Sequence, residues 1–551
     1  MKSKPLILFL FGLLLAISVS PLITGLAATP TYTDVSAAVA KTMIDTNPAL
    51  VVLDVRNQSE YDTGHIRNAR LIPVWALAGR VNELNQSDTI LVYCKAGGRS
   101  ATASQTLVGN NFTYIYNMLG GITAWSVAAY PMYVNYSSIQ AAIDNADNGG
   151  TIYVSSGLYY EHITVNKSVT LVGENKYNTI IDGMGNGTIF SVTADEVSIS
   201  YFTIQNCGCS CQDRYGFHVR AYRHNINITD NNMAGIPVGG QPGILSNAIK
   251  LDLDQEILIE HNNITQSVDW CILITSSSRV QVLENSIVDN WAEARIEDST
   301  EIVFSGNNVS SNPNGVDIIN CSGSTLIGNI FSSNHGSGIS FSRSRNNLVL
   351  HNSFVGNGRH ASNTLGSANS WNNSAEGNYW SNYTGVDANL DGIGEPVHLI
   401  DINNADYHPL MGAFSSLKTV YEPQVDFISN SSISSIEFSL LNSSQAKLRF
   451  NVTGEYGTHG FSRICIPKEL INGSYVVTFD GEVVAEPLSR TLPSSNDTYT
   501  YLYISYTHSQ HLIEITGTTA IPEFPTLVIT ALILIYGLLA TAACRRKYAV
   551  R

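Results

Sequence analysis

Residues 89–108, TILVYCKAGGRSATASQTLV, carry the strongest structural and chemical signal in the chain. Thr89 to Tyr93 is an apolar, β-branched run typical of a buried strand, and Ala101 to Val108 is compatible with a helix. Between them lies the loop Cys94-Lys95-Ala96-Gly97-Gly98-Arg99-Ser100. A strand, a glycine-containing loop and a helix start form a concave nest of backbone N–H groups that favours an anion. We therefore predict that Cys94 has a lowered pKa and is nucleophilic.

The residues on either side of this loop predict an α/β domain over residues 31–132. Apolar strands at Leu50 to Val55 and Tyr114 to Met118 flank the strand at Thr89 to Tyr93, with helical stretches between them. Strands that alternate with helices are typical of a parallel sheet covered by helices.

Three motifs in this region resemble the rhodanese family, in the right order over about 100 residues. The loop from Cys94 to Ser100 fits the family's active-site loop. Two flanking signatures also fit: Asp54-Val55-Arg56 with Glu60-Tyr61 and Gly64-His65-Ile66 before it, and Leu119-Gly120-Gly121 with Trp125 and Pro131 after it.

The rhodanese resemblance implies a sulfurtransferase. In that family reading Cys94 accepts a sulfane sulfur as a persulfide and passes it to a thiophilic acceptor such as cyanide or a thiol. The resemblance further implies that Arg99 and the loop amides hold the anionic donor, while Asp54 and Arg56 brace the loop. The loop residues in question are Lys95, Ala96, Gly97, Gly98 and Ser100.

Loop length separates two chemistries within this fold. Four residues, 95–98, intervene between Cys94 and Arg99, whereas cysteine phosphatases have a longer loop sized for phosphate. The smaller ring favours sulfur transfer over phosphate hydrolysis. An inert buried thiol is the alternative for Cys94. Asp54 and Glu60 could instead only cap helices and fix loops, and a structural role is favoured for His65.

The next region, residues 133–412, contains a repeat. Asn residues recur in similar contexts at 262/263, 285, 307/308, 329 and 352, a spacing of 22 or 23 residues. A constant period with a turn residue in register is typical of a solenoid. Short β-branched strands without helical windows predict a right-handed parallel β-helix. Asn suits its turns because it tolerates left-handed backbone geometry and because stacked Asn side chains can form a ladder.

Two segments of the repeat region resemble pectin-lyase-like β-helices, in particular the NosD-like group. The opening contains Ser138-Ile139-Gln140-Ala141-Ala142-Ile143, which we expect to cap the open end of the solenoid, and Leu171-Val172-Gly173-Glu174. The close runs from Gly377-Asn378-Tyr379-Trp380 to Tyr407-His408-Pro409-Leu410. The resemblance implies either a link to copper-site maturation or cleavage of acidic polysaccharide.

The sequence evidence for catalytic residues is weaker in the solenoid than in the first domain. A polysaccharide lyase or hydrolase would need clustered carboxylates and an arginine on one face, and the candidates are Asp252, Asp254, Asp269, Asp289, Glu293 and Arg295. A binding or spacer solenoid is the favoured interpretation. Cys207, Cys209 and Cys211, near His218 and His224, could bind Cu(I) or Zn²⁺, and a disulfide is the alternative.

Asp387, Asn389 and Asp391 place oxygen ligands at alternate positions before Gly392, as at the start of a calcium loop. Position twelve of such a loop is His398 rather than a Glu, so an EF-hand is excluded. A shorter Ca²⁺ loop that includes Glu395 is one hypothesis, and an Asx-rich turn is the other. No other cofactor is expected.

Residues 413–518 predict a β-sandwich, because alternating strands recur there. The predicted strands are Ser435 to Leu440, Lys447 to Val452, Tyr475 to Phe479, Tyr499 to Tyr506 and Leu512 to Thr516.

Both ends of the chain indicate the compartment. Residues 1–27 read as a signal peptide, 526–544 as a transmembrane helix and 545–551 as a basic cytoplasmic tail. Pro522-Glu523-Phe524-Pro525 resembles the PEF-type sorting signals of archaeal surface proteins, and many Asn-x-Ser/Thr sites agree with a surface glycoprotein. The net charge of −15 disfavours nucleic-acid binding.

These observations predict a single-pass cell-membrane protein whose bulk is extracytoplasmic. Its expected function is sulfur transfer through Cys94, with a sulfane-sulfur donor and a thiol acceptor as partners and the β-helix as ligand-binding or scaffold domain. The alternative is a surface protein whose β-helix binds polysaccharide or the S-layer, with an accessory rhodanese module.

Overall fold

The structure, a computed structural model, describes residues 31–208, 214–235, 245–417, 424–442, 445–484 and 489–518. The chain divides into two compact units, Met1–Met132 and Tyr133–Arg551.

The first unit contains a five-stranded parallel sheet, as the sequence predicts. Its strands lie in the order β1-β5-β4-β2-β3. The strands are β1 Thr33–Val35, β2 Val51–Asp54, β3 Arg70–Leu71, β4 Thr89–Tyr93 and β5 Tyr114–Met118. The helices are α1 Ala37–Thr46, α2 Gln58–Asp62, α3 Val74–Arg80, α4 Gly98–Gly109 and α5 Gly121–Val127, with a 3-10 turn at Val81–Glu83. From Ile90 to Tyr93 the central strand is fully buried, as expected for a parallel strand covered on both faces.

The second unit begins with a parallel β-solenoid, which confirms the β-helix architecture. Three parallel sheets run along it, and each complete turn contributes one strand to each sheet in succession. A short helix, α6 Ile139–Asn145, lies at its start, and Ile139 and Ile143 join the solenoid core. Glu161 holds this helix by accepting hydrogen bonds from the amides of Ile139 and Gln140 at 2.7 and 3.0 Å.

The strands of the three solenoid sheets are short and closely spaced. The first sheet comprises Gly150–Val154, Val169–Gly173, Val197–Ser200, His224–Thr229, Gln255–Glu260, Gln281–Leu283, Val303–Ser305, Thr325–Ile327, Arg345–Leu350 and Ala368–Ser370. The second comprises Gly157–Tyr159, Thr179–Asp182, Thr203–Gln205, Asn232–Ala234, Asn263–Thr265, Ser286–Val288, Asn308–Ser310, Ile330–Ser332, Ser353–Val355 and Tyr379–Trp380. The third comprises Ile163–Val165, Phe190–Val192, Tyr215–Val219, Leu245–Asp252, Ser267–Thr275, Ala294–Glu297, Val316–Ile319, Ser337–Ser342 and Arg359–Thr364.

A column of buried Asn side chains connects successive turns between the first and second sheets. Asn285 Oδ1 accepts from the Asn262 amide at 2.9 Å, and Asn307 Oδ1 accepts from the Asn285 amide at the same distance. Each side-chain amide also donates to a carbonyl of the preceding turn, as Asn307 Nδ2 does to Val282 at 2.8 Å. The column continues through Asn329, Asn352 and Asn378.

The predicted Asn ladder is therefore present, but the conformational reason given for it is wrong. The left-handed residues are those immediately before the ladder positions, such as Glu284 with φ 53° and Gly306 with φ 66°. The ladder Asn residues occupy ordinary backbone conformations. Their side chains are selected because one amide group can both accept from a turn N–H and donate to a buried carbonyl.

The solenoid is followed by a short hairpin and two five-stranded antiparallel sheets that share one core. The hairpin strands are His398–Asp401 and Asn404–Asp406. One sheet has the order Ala413–Leu417, Val425–Ser429, His459–Pro467, Tyr499–Thr507, Ser489–Thr491. The other has the order Ser432–Asn442, Gln445–Thr453, Gln510–Thr518, Asn472–Phe479, Glu482–Val484. Phe427, Ile464 and Ile504 from one sheet pack in a single cluster with Leu448 and Ile513 from the other.

In the part of the chain that the structure describes, no helix is long and apolar enough to cross a membrane. The predicted signal peptide at 1–27, the predicted transmembrane helix at 526–544 and the tail at 545–551 lie outside the described residues.

The Asn column yields a stability prediction. Replacing Asn307 with Ala leaves the Asn285 amide and the Val282 carbonyl buried without these partners. Because each unsatisfied buried group costs about 1–3 kcal/mol, we expect the free energy of unfolding to fall by roughly 3 kcal/mol. Urea titration followed by tryptophan fluorescence measures this.

Asn308 provides the matched control, because it is adjacent in sequence and exposed. Asn308→Ala should change the free energy of unfolding by less than about 0.5 kcal/mol. Equal effects of the two substitutions would contradict a structural role for the column.

Candidate functional site

The loop between β4 and α4 has the strand–loop–helix geometry that the sequence predicts. β4 ends at Tyr93 and α4 begins at Gly98. Gly97 has a left-handed conformation, with φ 102°, which turns the chain from the loop into the helix. Ser100 Oγ lies 3.0 Å from the Gly97 carbonyl oxygen, so its single proton can be donated either to this carbonyl or to Cys94 Sγ.

The thiol of Cys94 lies at the base of the loop and is only 1% exposed. The Gly97 amide donates to its sulfur at 3.1 Å. Burial by itself would raise the pKa of the Cys94 thiol. Hydrogen bonds from the Ser100 side chain and from the amides of Ser100, Ala96 and Gly97 outweigh burial, so the pKa is lowered. The loop therefore favours the thiolate, the form that acts as nucleophile.

The turn at Gly120 and Gly121, quoted above only as a motif, supports the loop from behind. The Ile122 amide donates to the Cys94 carbonyl at 2.8 Å, and Thr123 donates to the Lys95 carbonyl from its amide and from its hydroxyl. A Cβ atom on Gly121 would lie 2.2 Å from the Cys94 carbonyl oxygen, and its φ of 54° also disfavours other residues. This position therefore requires glycine.

Arg99 is not an unpaired cation, because it forms a bidentate ion pair with Glu60. Its two terminal nitrogens lie 2.7 Å from the two carboxylate oxygens. Glu60 also completes a capping box with Asn57 at the start of α2, so it fixes the helix as well. The hydrogen bond from Arg99 lowers the pKa of Glu60 to about 2. Sequence analysis did not foresee this pair, whose members are 39 residues apart.

Asp54 and Arg56 form a buried ion pair at the carboxyl end of β2, next to the loop strand. Arg56 Nη2 lies 2.6 Å from Asp54 Oδ2 and also donates to the Gly64 carbonyl at 2.8 Å. Asp54 is paired in register with Tyr93, the residue before Cys94. His65 is buried and stacks on Tyr61 with ring centroids 3.7 Å apart, as its predicted structural role requires.

A cavity of about 380 Å³ opens beside the loop. Charged and polar side chains line one part of it, namely Arg56, Glu60 and Lys95. Ile122, Val127 and Met132 line another part. Lys95 and Ala96 are exposed, whereas Cys94 is covered by its own loop. The cavity can therefore admit a small anion or an apolar thiol next to the loop.

The candidate carboxylates of the solenoid lie in different local settings. Asp254 is buried in a turn, where it accepts from the Arg223 and Asp252 amides, and burial raises its pKa to about 7. Arg295 lies on the third sheet and Glu293 immediately precedes the same strand, with Arg295 Nη2 3.5 Å from Glu293 Oε1. Asp269 accepts from the Ser246 hydroxyl at 2.6 Å.

The predicted metal ligands receive little support. Asp387 accepts from the amides of Asp391 and Gly392 at 2.8 Å each, which is the Asx-turn alternative. Arg490 donates to the Asn389 carbonyl in the same loop. Calcium binding by Asp387, Asn389 and Asp391 stays a prediction.

Cys207 is buried inside the solenoid, and burial raises its pKa to about 11. Cys209 and Cys211 lie outside the described residues, so the proposed thiolate cluster is not tested. Cys321 lies in a second column, which consists mainly of Ser side chains. In it the Ser277 amide donates to Ser299 Oγ at 3.1 Å, and the Cys321 amide donates to Ser344 Oγ at 3.0 Å.

Comparison with known families matches two parts of the chain. Residues 36–128 match the rhodanese-like domain, and residues 104–385 match the family described as periplasmic copper-binding protein (NosD), which is just over half of the 551 residues.

Curated relatives match the rhodanese-like part. A putative sulfur carrier protein, YrkF of Bacillus subtilis, is 33% identical over 17% of this chain and 50% of its own length. A sulfurtransferase of Allochromatium vinosum is 29% identical over 18% of this chain and 90% of its own length. The thiosulfate sulfurtransferase GlpE of Coxiella burnetii is 33% identical over 14% of this chain and 71% of its own length. The chain thus spans only half the length of the first of these relatives.

The NosD description names copper, so we asked whether the side chains fit it. Among the described residues, no group of three or more His, Cys, Asp or Glu side chains is placed to hold a metal ion. Cys207 and Cys321 are buried apart from one another in the solenoid, and burial raises the pKa of each to about 11. These two thiols therefore do not form a copper site with one another, and copper binding by Cys207 with Cys209 and Cys211 stays a prediction.

The hydrogen bond from Ser100 yields a pH-dependent prediction. Ser100→Ala removes a bond that favours the thiolate, so the pKa of Cys94 should rise. Alkylation by iodoacetamide, followed by mass spectrometry on the Cys94 peptide, should then need a higher pH to reach half its maximal rate. Thr102→Ala, whose hydroxyl bonds only the Gly98 carbonyl, is the control and should leave the midpoint unchanged. A midpoint that does not move in Ser100→Ala would contradict this account of the loop.

Proposed function

The chain belongs to the NosD family and carries a rhodanese-like domain, and on that premise we propose that it is an extracytoplasmic, rhodanese-type sulfurtransferase whose β-helix binds a ligand or serves as a scaffold. The observation that carries the proposal is the Cys94 thiol at the base of a loop whose amides and Ser100 lower its pKa. Two relatives of the domain are named sulfurtransferases, which supports this activity.

Sulfur transfer through Cys94 proceeds in two displacements. The Cys94 thiolate attacks the outer sulfur of a donor such as thiosulfate, the sulfur–sulfur bond of the donor breaks, and sulfite leaves with the bonding electron pair. A thiolate or cyanide then attacks the outer sulfur of the Cys94 persulfide. The sulfur–sulfur bond of the persulfide breaks, Cys94 is left as the thiolate, and the acceptor carries the outer sulfur away. No metal or organic cofactor takes part in either step.

The loop stabilises both anionic states in this proposal. Amides that converge on Cys94 Sγ also suit the terminal sulfur of a persulfide, because preorganised N–H groups stabilise an anion without reorganisation. Exposed Lys95 supplies a positive charge at the mouth of the adjacent cavity. Glu60 holds Arg99 at the first turn of α4, so the guanidinium contributes as an oriented charge and not as a mobile arm.

The compartment is part of the proposal. The NosD family is described as periplasmic, which supports a location outside the cytoplasm. We further propose that residues 1–27 direct export and that residues 526–544 anchor the protein in the cell membrane, with a sulfane-sulfur donor and a thiol acceptor as partners.

The activity is tested with thiosulfate and cyanide on the purified full-length chain. We expect thiocyanate to form, and we expect Cys94→Ser to abolish it because the sulfur acceptor is lost. Cys465→Ser is the matched control, since Cys465 lies in the other unit and should not contribute. Mass spectrometry should find one added sulfur atom on the Cys94 peptide after thiosulfate alone. Equal rates for the wild type and Cys94→Ser would refute the proposal.

A second candidate function, binding of a surface polysaccharide, has one supporting observation. Lys250, Leu273, Arg295 and Asp317 lie in register on four successive turns of the third sheet. The Arg295 guanidinium covers the Trp270 ring at 4.0 Å and lies 3.4 Å from Asp317. Aromatic and charged groups side by side on an extended sheet suit the apolar faces and hydroxyl groups of a glycan chain.

Glycan-array binding by the full-length chain tests this second candidate. Arg295→Ala should weaken binding about tenfold or more, because an interfacial Arg packed on Trp is typical of an energetic hot spot. Arg279→Ala is the control, since Arg279 is an exposed Arg paired with Glu256 away from this row. Absence of binding to every acidic and neutral glycan would exclude the candidate.

A further inference from the structure

The C-terminal sandwich contains a cavity of about 430 Å³ that neither sulfur transfer nor the β-helix uses. It lies at the turn between Tyr499–Thr507 and Gln510–Thr518. Aromatic and aliphatic side chains form much of its wall, namely Tyr456, Phe479, Val484 and Tyr506. Ser509 and His511 supply polar groups to the same wall. An apolar cavity with a few convergent polar groups is the usual form of a small-molecule site.

Three side chains form a hydrogen-bonded line, of which Ser509 and His511 line the cavity. Ser509 Oγ lies 2.6 Å from His511 Nε2, and His511 Nδ1 lies 2.7 Å from Asp480 Oδ2. A hydroxyl, an imidazole and a carboxylate linked through opposite ring nitrogens are the arrangement that activates a serine nucleophile, whatever the fold and chain order.

The carboxylate and the ring are both held in place. The Leu512 amide donates to Asp480 Oδ1 at 2.8 Å, and the His511 ring packs on Phe479 with centroids 4.2 Å apart. The hydrogen bond from Leu512 and then that from His511 lower the pKa of Asp480, so this carboxylate stays ionised. An ionised carboxylate keeps the proton of a neutral imidazole on Nδ1, and Nε2 then faces the Ser509 hydroxyl as an acceptor.

The Thr507 carbonyl oxygen can accept a hydrogen bond from His511 once the reaction has protonated the ring. His511 Nε2 is 3.1 Å from the Thr507 carbonyl oxygen, which can only accept, so this contact is favourable only when Nε2 carries a proton. When Nε2 takes the serine proton, the imidazolium can donate to this carbonyl as well. The imidazolium thus has an acceptor on each side, Asp480 at Nδ1 and Thr507 at Nε2.

We propose that Ser509, His511 and Asp480 form an acyl-transfer site that hydrolyses carboxylic esters. Ser509 Oγ attacks the ester carbonyl while its proton passes to His511 Nε2. The carbon–oxygen bond to the alcohol breaks, and the alcohol leaves with that proton. Water then attacks the acyl-serine and gives one proton to His511 Nε2. The bond between the acyl carbon and Ser509 Oγ breaks, Oγ takes that proton from Nε2, and the carboxylic acid leaves.

The walls of the cavity indicate the substrate class. Phe479, Val484 and Tyr506 favour a short apolar acyl group, and the volume of about 430 Å³ suits a small ester better than a polymer chain. The class is therefore small, uncharged carboxylic esters.

The test uses the full-length chain with Cys94→Ser throughout, because an activated thiol can also cleave activated esters. A fluorophosphonate probe should label Ser509, as located by peptide mass spectrometry, and p-nitrophenyl butyrate should be hydrolysed. Ser509→Ala and His511→Gln should each reduce this rate roughly 100-fold or more, since nucleophile and base are lost. Asp480→Asn should reduce it too, because an amide no longer fixes the tautomer of His511.

Ser505→Ala is the matched control, because Ser505 lines the same cavity without a bond to His511. It should leave both labelling and hydrolysis unchanged. The proposal is overturned if the probe does not label Ser509 in the protein with Asp480 and His511 intact, or if Ser509→Ala hydrolyses the ester as fast as its parent. Labelling of Ser509 is measured with the sandwich itself unsubstituted, so a destabilised sandwich variant cannot obscure the result.

Discussion

Buried Asn side chains are the constraint on which the architecture of the second unit depends. In a parallel solenoid the chain bends between one sheet and the next in every repeat. At each bend a backbone N–H points inward, where no neighbouring strand can accept its hydrogen bond. The ladder side chains, such as Asn285 and Asn307, accept from that N–H and donate to a buried carbonyl one turn back. Since each side chain bonds two groups of the preceding turn, the ladder positions stay aligned from turn to turn. The chain between them is usually 22 or 23 residues long, and it lengthens to 31 residues before Asn262 and 26 before Asn378 without breaking the column.

The same constraint determines where the solenoid ends. At the last turn the Asn378 amide donates to the buried carboxylate of Asp406 at 2.7 Å, because no further Asn follows. Trp380 stacks on Phe354 and donates to the same carboxylate at 2.9 Å, which closes the core with a large side chain. Arg463 of the following sheet then pairs with Glu376 at 2.6 Å. The antiparallel sheets are thereby attached to the last turn by a buried ion pair as well as by the chain itself.

In the rhodanese-like domain, too, backbone N–H groups need an acceptor, but here they belong to one loop and not to a repeat. Several amides converge on one sulfur atom, and such convergence is costly unless the anion they stabilise is present. The turn at Gly121 holds the loop in this conformation. It packs against the Cys94 and Lys95 carbonyls, and the amides that follow it donate hydrogen bonds to them. Glu60 orients Arg99 from α2, so the positive charge near the sulfur is part of the fold.

The sequence by itself determined both parallel architectures, the position of the nucleophilic loop and the bounds of Thr89–Tyr93 and Tyr114–Met118, because periodicity and strand–loop–helix chemistry are local properties. It missed the strands Val425–Ser429 and His459–Pro467, the second of which contains a glycine and ends in a proline and therefore reads as a loop. Only the tertiary structure decided the Glu60–Arg99 pair, the place of Cys321 in a ladder of hydroxyl groups, and the line from Asp480 through His511 to Ser509. These contacts join residues from separate elements, and their partners are set by how the strands and turns pack, which no local pattern records.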